Sequence, residues 1–330
     1  MTQITYSEWK KRIEADGDAS ILQSPYWGEV KSAFGWNPVY IADGSAGAMV
    51  LFRKPTAGVT AAYIPRGPIG TGAESLWPEI HQLCRKKHAV FLRVEPNQWK
   101  GTPEGDSMLR SLEGFQPAFA TVQPPRTIVI PLAGTEDDWL NRMNQKTRYN
   151  IRLSQRKDLE IEESYDAGMF HQLMNLTGSR DAFGVHSEAY YQKCLDAFKQ
   201  GKEVRILCAR YQGKPLAAIM LFIHGKHGYY LYGASSNEER NRMPNHLLQW
   251  TAMKICASAG CEDYDLWGIP DAEPDVLEAQ FQNREDGLWQ VYRFKRGFGG
   301  EIRRTLGSFD YVYLPLLYRA AASLHQRKVH

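Results

Sequence analysis

The sequence predicts two tandem α+β domains with mixed β-sheets, related to each other by internal duplication. Three observations predict this. The chain has 330 residues, enough for about two domains that each bury a core. Its composition, 43% hydrophobic and 23% charged, is that of an ordinary globular protein. One order of elements, strand, strand, helix, strand, occurs twice at an offset of about 170 residues.

Apolar spacing and turn residues predict helices from Tyr6 to Ala15 and from Pro25 to Phe34, then strands from Val39 to Ile41 and from Ala48 to Arg53. The strand "AAYIPRGPI", a helix from Glu74 to Lys87 and the strand "AVFLRVEP" come next, and a hairpin-like stretch ends in the strand "RTIVIPL". One helix is expected over 137–157, with Thr135 as its N-cap and the acids after it suited to the positive end of the helix dipole. Beyond it lie the strand "LEIEES", helices over 166–179 and 187–200, and the strands "VRILCARY", "LAAIMLFIHG" and "GYYLYGAS". A helix from Asn245 to Ala259 and the strand "DYDLWGI" follow. Set side by side, "GAMVLFRK" answers "AAIMLFIHG", "AAYIPRGPIG" answers "HGYYLYGASS", helix 74–87 answers helix 245–259, and "FLRVEPN" answers "YDLWGIP". Domain limits of 1–134 and 135–310 are expected on this basis.

The repeated β-β-α-β unit is also the core of the acyl-CoA N-acyltransferase-like (GNAT) fold. There a glycine-containing loop holds the coenzyme's pyrophosphate on backbone amides at a helix start. Here "RGPIGTGA" is one residue out of register, with Pro68 removing an amide, and "SSNEERNRMPN" has no glycine. A coenzyme A thioester is therefore not the first choice of donor.

Forty Lys and Arg stand against 37 Asp and Glu, so any contact with a polyanion must come from local patches. The run "NQKTRYNIRLSQRK" is such a patch: Lys146, Arg148, Arg152, Arg156 and Lys157, with Arg142 just upstream. On a helix, Leu140, Met143, Thr147 and Ile151 share one face and the cations take the other, either as a solvated surface or as the seat of a polyanionic partner. In "QSPYWGEVKSAFGW", Trp27, Val30 and Phe34 share a helical face while Lys31 projects outward. In "GASSNEERNRMPNHLLQW", Arg240 and Arg242 precede a helix whose first amides attract anions. The stretch "WQVYRFKRGFGGEIRR" reads as a strand by its period-two alternation. Val291, Arg293 and Lys295 would lie on one face and Tyr292, Phe294 and Arg296 on the other. It runs into "GFGG", where the backbone can turn sharply or approach a ligand closely. A lysine flanked by aromatics there can hold a cation where an oxyanion develops. Glu95, at a strand end, is the one carboxylate placed as a general base.

Other chemistries are disfavoured. The five cysteines have no CxxC spacing, as expected of buried reduced thiols, and the nine histidines form no metal-spaced cluster. Neither GxSxG nor a Walker loop occurs. The first residues, "MTQITYSEWKKRIEAD", have no apolar core, and no stretch approaches the roughly 18 apolar residues of a membrane span. A cytoplasmic protein is expected, at most peripheral to the inner face of the plasma membrane.

Taken together, these stretches resemble the Fem-type (FemABX) peptidyltransferases of bacteria. The resemblance rests on "QSPYWGEVK", "YIPRGPI", "KTRYNIRLSQRK", "GSRDAFGVHSEAYY", "YGASSNEERNRMPNHLLQW", "YDLWGIP" and "YRFKRGFGGEI", in that order over nearly the whole chain. It implies two GNAT-like domains and transfer of an amino acid from aminoacyl-tRNA to an amino group of a peptidoglycan precursor's stem peptide. It also implies a monomer whose last helix, within 311–330, packs back on the first domain. Some members insert a long helical arm in the second domain; no such heptad stretch exists here, which implies the short form.

By resemblance, Lys31 binds precursor phosphate, and Phe294 and Lys295 flank the reacting carbonyl, with Lys295 stabilising the tetrahedral intermediate. Tyr191 and Tyr232 line the precursor site, and phosphate contacts are redistributed to Arg180; Arg240, ahead of its helix, is a further substrate-binding candidate on the residues alone. Some members carry aspartate at the position of Glu95, and the arginine ahead of Tyr191 is replaced by His186 or Ser187. The implied partners are aminoacyl-tRNA and a nucleotide-linked or lipid-linked muropeptide; the basic run Lys146, Arg148, Arg152 and Arg156 is a candidate seat for the tRNA backbone, with precursor phosphates and the anionic membrane face as the alternatives. No cofactor is implied, because the aminoacyl ester is already activated, and no metal either. Two other classes stay open: a GNAT-type acyl-CoA-dependent N-acyltransferase acting on a sugar or small amine, and a non-catalytic module that binds precursor or RNA.

Overall fold

The computed structural model describes residues 2–54, 58–181 and 184–329. Its contacts divide the chain into two compact units, Met1–Pro125 with Arg303–His330, and Arg126–Ile302. In chain order the elements begin β1 (Thr2–Ile4), α1 (Tyr6–Ala15), α2 (Pro25–Ala33), β2 (Trp36–Asp43), β3 (Ala46–Arg53), β4 (Thr60–Pro65), α3 (Trp77–Lys86), β5 (Ala89–Glu95), α4 (Pro103–Ser111) and β6 (Gln116–Pro117). They continue through β7 (Arg126–Pro131), α5 (Glu136–Arg142), α6 (Gln145–Ser154), β8 (Glu160–Ser164), α7 (Ala167–Asp181), α8 (Glu188–Phe198), β9 (Val204–Tyr211), β10 (Lys214–His224) and β11 (His227–Ser235). The last are α9 (Pro244–Ser258), β12 (Asp263–Gly268), α10 (Pro274–Gln280), α11 (Trp289–Lys295), β13 (Glu301–Arg304), β14 (Phe309–Val312) and α12 (Pro315–Val329).

Each unit is built on one mixed seven-stranded sheet, ordered β1-β2-β3-β4-β5-β14-β6 in the first and β13-β7-β12-β11-β10-β9-β8 in the second. The duplication is plain in the pairing. β3 runs antiparallel to β4, which pairs parallel with β5 after the crossover through α3. β10 runs antiparallel to β11, which pairs parallel with β12 after the crossover through α9. A parallel pair needs such a crossover, because a tight turn can join only antiparallel strands. In both units an antiparallel strand from elsewhere in the chain then covers the parallel pair: β14 on β5, and β7 on β12. The fold is thus α+β with two tandem GNAT-like domains.

These last two pairings also move the expected limits. The segment 126–134 opens the second unit, because β7 is hydrogen-bonded to β12, and 303–310 belongs to the first, because β14 is hydrogen-bonded to β5. A buried ion pair reinforces the second case: Arg93 on β5 donates twice to Asp310 on β14, at 2.8 and 2.7 Å, and Tyr318 on α12 donates to the same carboxylate. α12 is thereby fastened to the first unit.

Two elements differ from the sequence reading. The helix expected over 137–157 is broken. Thr135 and Asp138 form a capping box at the start of α5, but Met143 takes an extended conformation (φ −72°, ψ 155°), and the Asn144 side chain accepts from Thr147 N at 2.7 Å to start α6. The apolar line survives the break, since Met143, Thr147 and Ile151 are all buried. The segment read as a strand at 289–295 is helical. Trp289 and Tyr292 are both buried, at a spacing of three that fits one helical turn, and Tyr292 N donates to Leu288 O.

The five cysteines are buried, and none of them forms a disulfide. Among the described residues no helix is long and apolar enough to cross a membrane, and no group of His, Cys, Asp or Glu could hold a metal ion.

Candidate functional site

The break between α5 and α6 creates the site. A straight helix would carry Asn144 and Lys146 past the second unit's core as a plain surface; the bend instead presents the N-terminal turn of α6 to a cavity of about 900 Å³. Asn144, Lys146, Thr147 and Asn150 form one wall. Arg240, Met243 and His246, from the turn before α9 and its first residues, form the second. Phe281 and Gln282 follow α10, and Gln290, Arg293, Phe294 and Arg296 come from α11 and the residue after it; together they form the third. Helical spacing explains the third wall, because 290, 293 and 294 stand at i, i+3 and i+4. The strand reading had put Arg293 and Phe294 on opposite faces.

Four cations line this cavity, and no carboxylate does among the described residues. Arg296 is neutralised from outside by Glu278, a paired contact that holds the Glu278 carboxyl below its ordinary range. Arg293 donates to the carbonyls of Phe281 and Gln282, both at 2.9 Å. Lys146 and Arg240 are exposed at the cavity. The turn carrying Arg240 is strained, with Glu239 and Met243 both in the left-handed region at φ 48° and 59°. Arg242, by contrast, is a fastening: it donates to Glu239 and to Lys157 O and lies 3.3 Å over the Tyr211 ring.

His246 joins the three walls. Its Nε2 lies 3.2 Å from the Asn150 amide nitrogen, which can only donate, so the ring proton is on Nδ1. The ring packs edge-on against Phe294 at 5.2 Å and tilted against Phe298 at 5.9 Å. Burial, helped by Lys146, pulls its pKa down to about 4, so the imidazole is neutral near pH 7.

Phe294 faces the cavity, while the adjacent Lys295 is buried. The Lys295 ammonium donates to Trp267 O at 3.2 Å and to Gly268 O at 2.8 Å, and stands 5.4 Å over the Tyr230 ring. In a regular strand successive carbonyls point to opposite sides. Both meet one ammonium here because β12 loses its register between Asp265 and Gly268, where Trp267 takes φ 60°. Burial brings the Lys295 pKa down to about 7, against the pull of Asp265. An ammonium has three donors, so two fixed carbonyls orient the third. The glycines after it serve packing rather than a ligand: a Cβ on Gly297 would meet Thr147 Oγ1 at 2.1 Å, and one on Gly299 would meet Arg142 O at 2.2 Å.

The remaining expected residues sort differently. Glu95 is buried and fully engaged as an acceptor, taking hydrogen bonds from Tyr63 Oη, Ser308 Oγ and the amides of Val122 and Gln123. A carboxylate with its lone pairs so occupied organises the first unit's strand ends. Lys31 lies beside Trp27 on α2, its ammonium 4.7 Å from the ring. Tyr191 is 0% exposed and packed on Phe170 at 5.0 Å, a ring of the second unit's interior. Tyr232 is half-buried and its hydroxyl lies 3.3 Å from that of Tyr190. Arg180 is exposed and donates to Ser235 O and Asn237 Oδ1.

Within the basic run, Arg148 donates to Leu140 O and Met143 O and so caps α5, which removes it from the free cationic surface. Arg152 and Arg156 are exposed. The structure thus brings together Lys146, Arg240 and Phe294, adds Asn150, His246, Arg293 and Arg296, and leaves Lys31 and Glu95 in the other unit.

The model of the FemAB family matches residues 1–212 and 202–326. A lipid II:glycine glycyltransferase of Staphylococcus haemolyticus (strain JCSC1435) is 24% identical over 410 aligned positions, which cover 98% of this chain and 95% of the relative. That alignment is longer than this chain, so the relative holds segments that this chain lacks. A crystal structure of FemX superposes with a TM-score of 0.83 at 22% identity, covering 98% of this chain and 100% of the other. A tandem GNAT protein from the clavulanic acid biosynthesis pathway superposes with a TM-score of 0.50 at 10% identity, covering 93% of this chain and 94% of the other. With the matched model spanning nearly all of both units, the chain belongs to the FemAB family.

Proposed function

We propose that this protein is an aminoacyltransferase that moves an amino acid from aminoacyl-tRNA to an amino group on the stem peptide of a lipid-linked peptidoglycan precursor. The observation that carries the reading is the cation-lined cavity at Phe294, the residue that directly precedes Lys295 with its buried ammonium. The name of the staphylococcal relatives, lipid II:glycine glycyltransferase, supports the lipid-linked acceptor.

The acceptor end of tRNA is a strand of phosphates and flat bases. Lys146 and Arg240 suit the phosphates, while Phe294 and the Phe281 ring suit a stacked base. The acceptor's neutral amine attacks the ester carbon, and the carbonyl π electrons move to oxygen. The remaining N–H of Lys295 meets the resulting oxyanion. Collapse breaks the C–O bond; the tRNA 3′-terminal ribose oxygen leaves and takes a proton, and the nitrogen loses one. Arg180 and Tyr232 hold the precursor in this reading. Arg152 and Arg156 extend the cationic track for tRNA beyond the cavity.

The test is direct. Purified protein is incubated with a mixed pool of charged tRNA and with either lipid-linked or nucleotide-linked precursor, and the products are weighed. The expected product is precursor heavier by one amino-acid residue, absent after RNase pretreatment. Transfer that survives RNase, or that acyl-CoA supports in place of charged tRNA, overturns the reading.

A further inference from the structure

α12 is held by one face and bare on another. Tyr318 is buried, its hydroxyl donating to Asp310 at 2.9 Å and its ring packed against Phe91 and Phe119 at 5.6 and 5.3 Å. His325, two turns on, packs on Phe119 at 5.7 Å. At about 100° per residue, Leu316, Leu317, Ala320 and Leu324 all stand at least about 100° away from Tyr318 around the helix. They are exposed accordingly, Leu316 at 79%, Leu317 at 46% and Leu324 at 60%, with Leu314 just before the helix at 38%.

Single exposed leucines are ordinary, but four within eleven residues form a stripe. The charge of the segment is one-sided as well. Residues 313–330 contain Arg319, Arg327 and Lys328 and no Asp or Glu. Arg319 and Arg327 are exposed.

We propose that this face of α12 docks the protein on an anionic phospholipid bilayer, with the leucines entering the headgroup–acyl boundary and the arginines meeting lipid phosphates. An apolar stripe flanked by cations without acids is the pattern of a helix lying in a membrane interface. A second copy of the helix is the poorer occupant, because self-pairing would bring Arg319 and Arg327 against like charges with no carboxylate to receive them. The inference rests on the lipid-linked acceptor of the proposed function for its purpose, since a bilayer-borne acceptor favours a transferase that waits at the surface.

Flotation with vesicles of phosphatidylcholine, with and without phosphatidylglycerol, reads the docking without any turnover, so it stands or fails independently of the transferase reading. The parent protein is expected to float with the anionic vesicles and to be released by salt. Leu316→Ser combined with Leu324→Ser changes only exposed positions and should lower partitioning tenfold or more with the circular dichroism unchanged. Arg319→Gln with Arg327→Gln should weaken binding to anionic vesicles and flatten its salt dependence. The proposal is overturned if the parent does not float, if the leucine variant floats as the parent does, or if the parent is a dimer in solution that the leucine changes dissociate.

Discussion

Lys295 is where a single side chain decides most. Its ammonium is buried and held by two carbonyls that a regular strand could not both offer, and its pKa of about 7 makes its charge depend on pH. Lys295→Met should lower kcat and kcat/KM together, by on the order of 100- to 1000-fold, with substrate binding nearly preserved, because in the proposed reaction the charge that Lys295 meets exists only in the transition state. In the parent the ammonium is lost as pH rises through about 7, so kcat/KM should bend downward there. Lys295→Arg, permanently charged, should lack that bend at reduced activity. Stability moves the opposite way. The folded pKa lies below the ordinary 10.5, so between about 7 and 10.5 the unfolded chain binds more protons, and the parent gains stability relative to Lys295→Met as pH rises through that window. Thermal melts of both proteins from pH 6 to 10 check the sign. Glu95 makes the contrast. Glu95→Gln puts an amide donor among groups that already donate, so it should cost on the order of 1–3 kcal/mol of stability while the folded fraction keeps its kcat. A normal melting temperature with lost turnover would return Glu95 to the chemistry.

At the scale of elements, the basic run divides into cations that build and cations that are available. Arg148 caps α5, so Arg148→Ala should lower the melting temperature and leave the salt dependence of tRNA binding alone. Lys146→Ala combined with Arg240→Ala should do the reverse. If each meets one phosphate of the single-stranded acceptor end, the slope of log K against log salt should fall by about 1.4 in magnitude, with stability kept. Filter binding of charged tRNA over a salt series reads both. An unchanged slope in the second variant would remove the cavity from tRNA recognition. The junction itself depends on Asn144, and Asn144→Ala should cost about 1 kcal/mol through the lost cap.

For the molecule as a whole, the consequential feature is that strands far apart in sequence complete each sheet. β14 joins the first sheet after the entire second unit has intervened, and Arg93 with Asp310 marks the joint. Asp310→Ala would strand a buried guanidinium, so a loss of about 3–5 kcal/mol is expected, read by chemical denaturation. Replacing both partners with apolar residues should recover much of it. Recovery that fails would mean that the pair specifies the strand's register as well as its stability.

The sequence by itself determined the duplication, the α+β class and most elements, because hydrophobic period is a local property. Strand 204–211 is found over the residues that its pattern indicates, and α9 and β12 differ from expectation by a residue or so. Membership of the basic run, Arg240 and Phe294 in one site was legible only as three separate stretches. Tertiary structure decided the rest. A seven-residue helix at 289–295 satisfies period two and period 3.6 almost equally, and burial of Trp289 and Tyr292 selected the helix. The α5–α6 break turned on whether Asn144 would cap or continue, and Gly297 and Gly299 fit close against that junction. The roles of Glu95 and Arg148 depended on which donors and carbonyls folding brought within reach. The pairings of β7 and β14 were likewise hidden, because a strand's pattern records which face is apolar and not which distant edge it will complete.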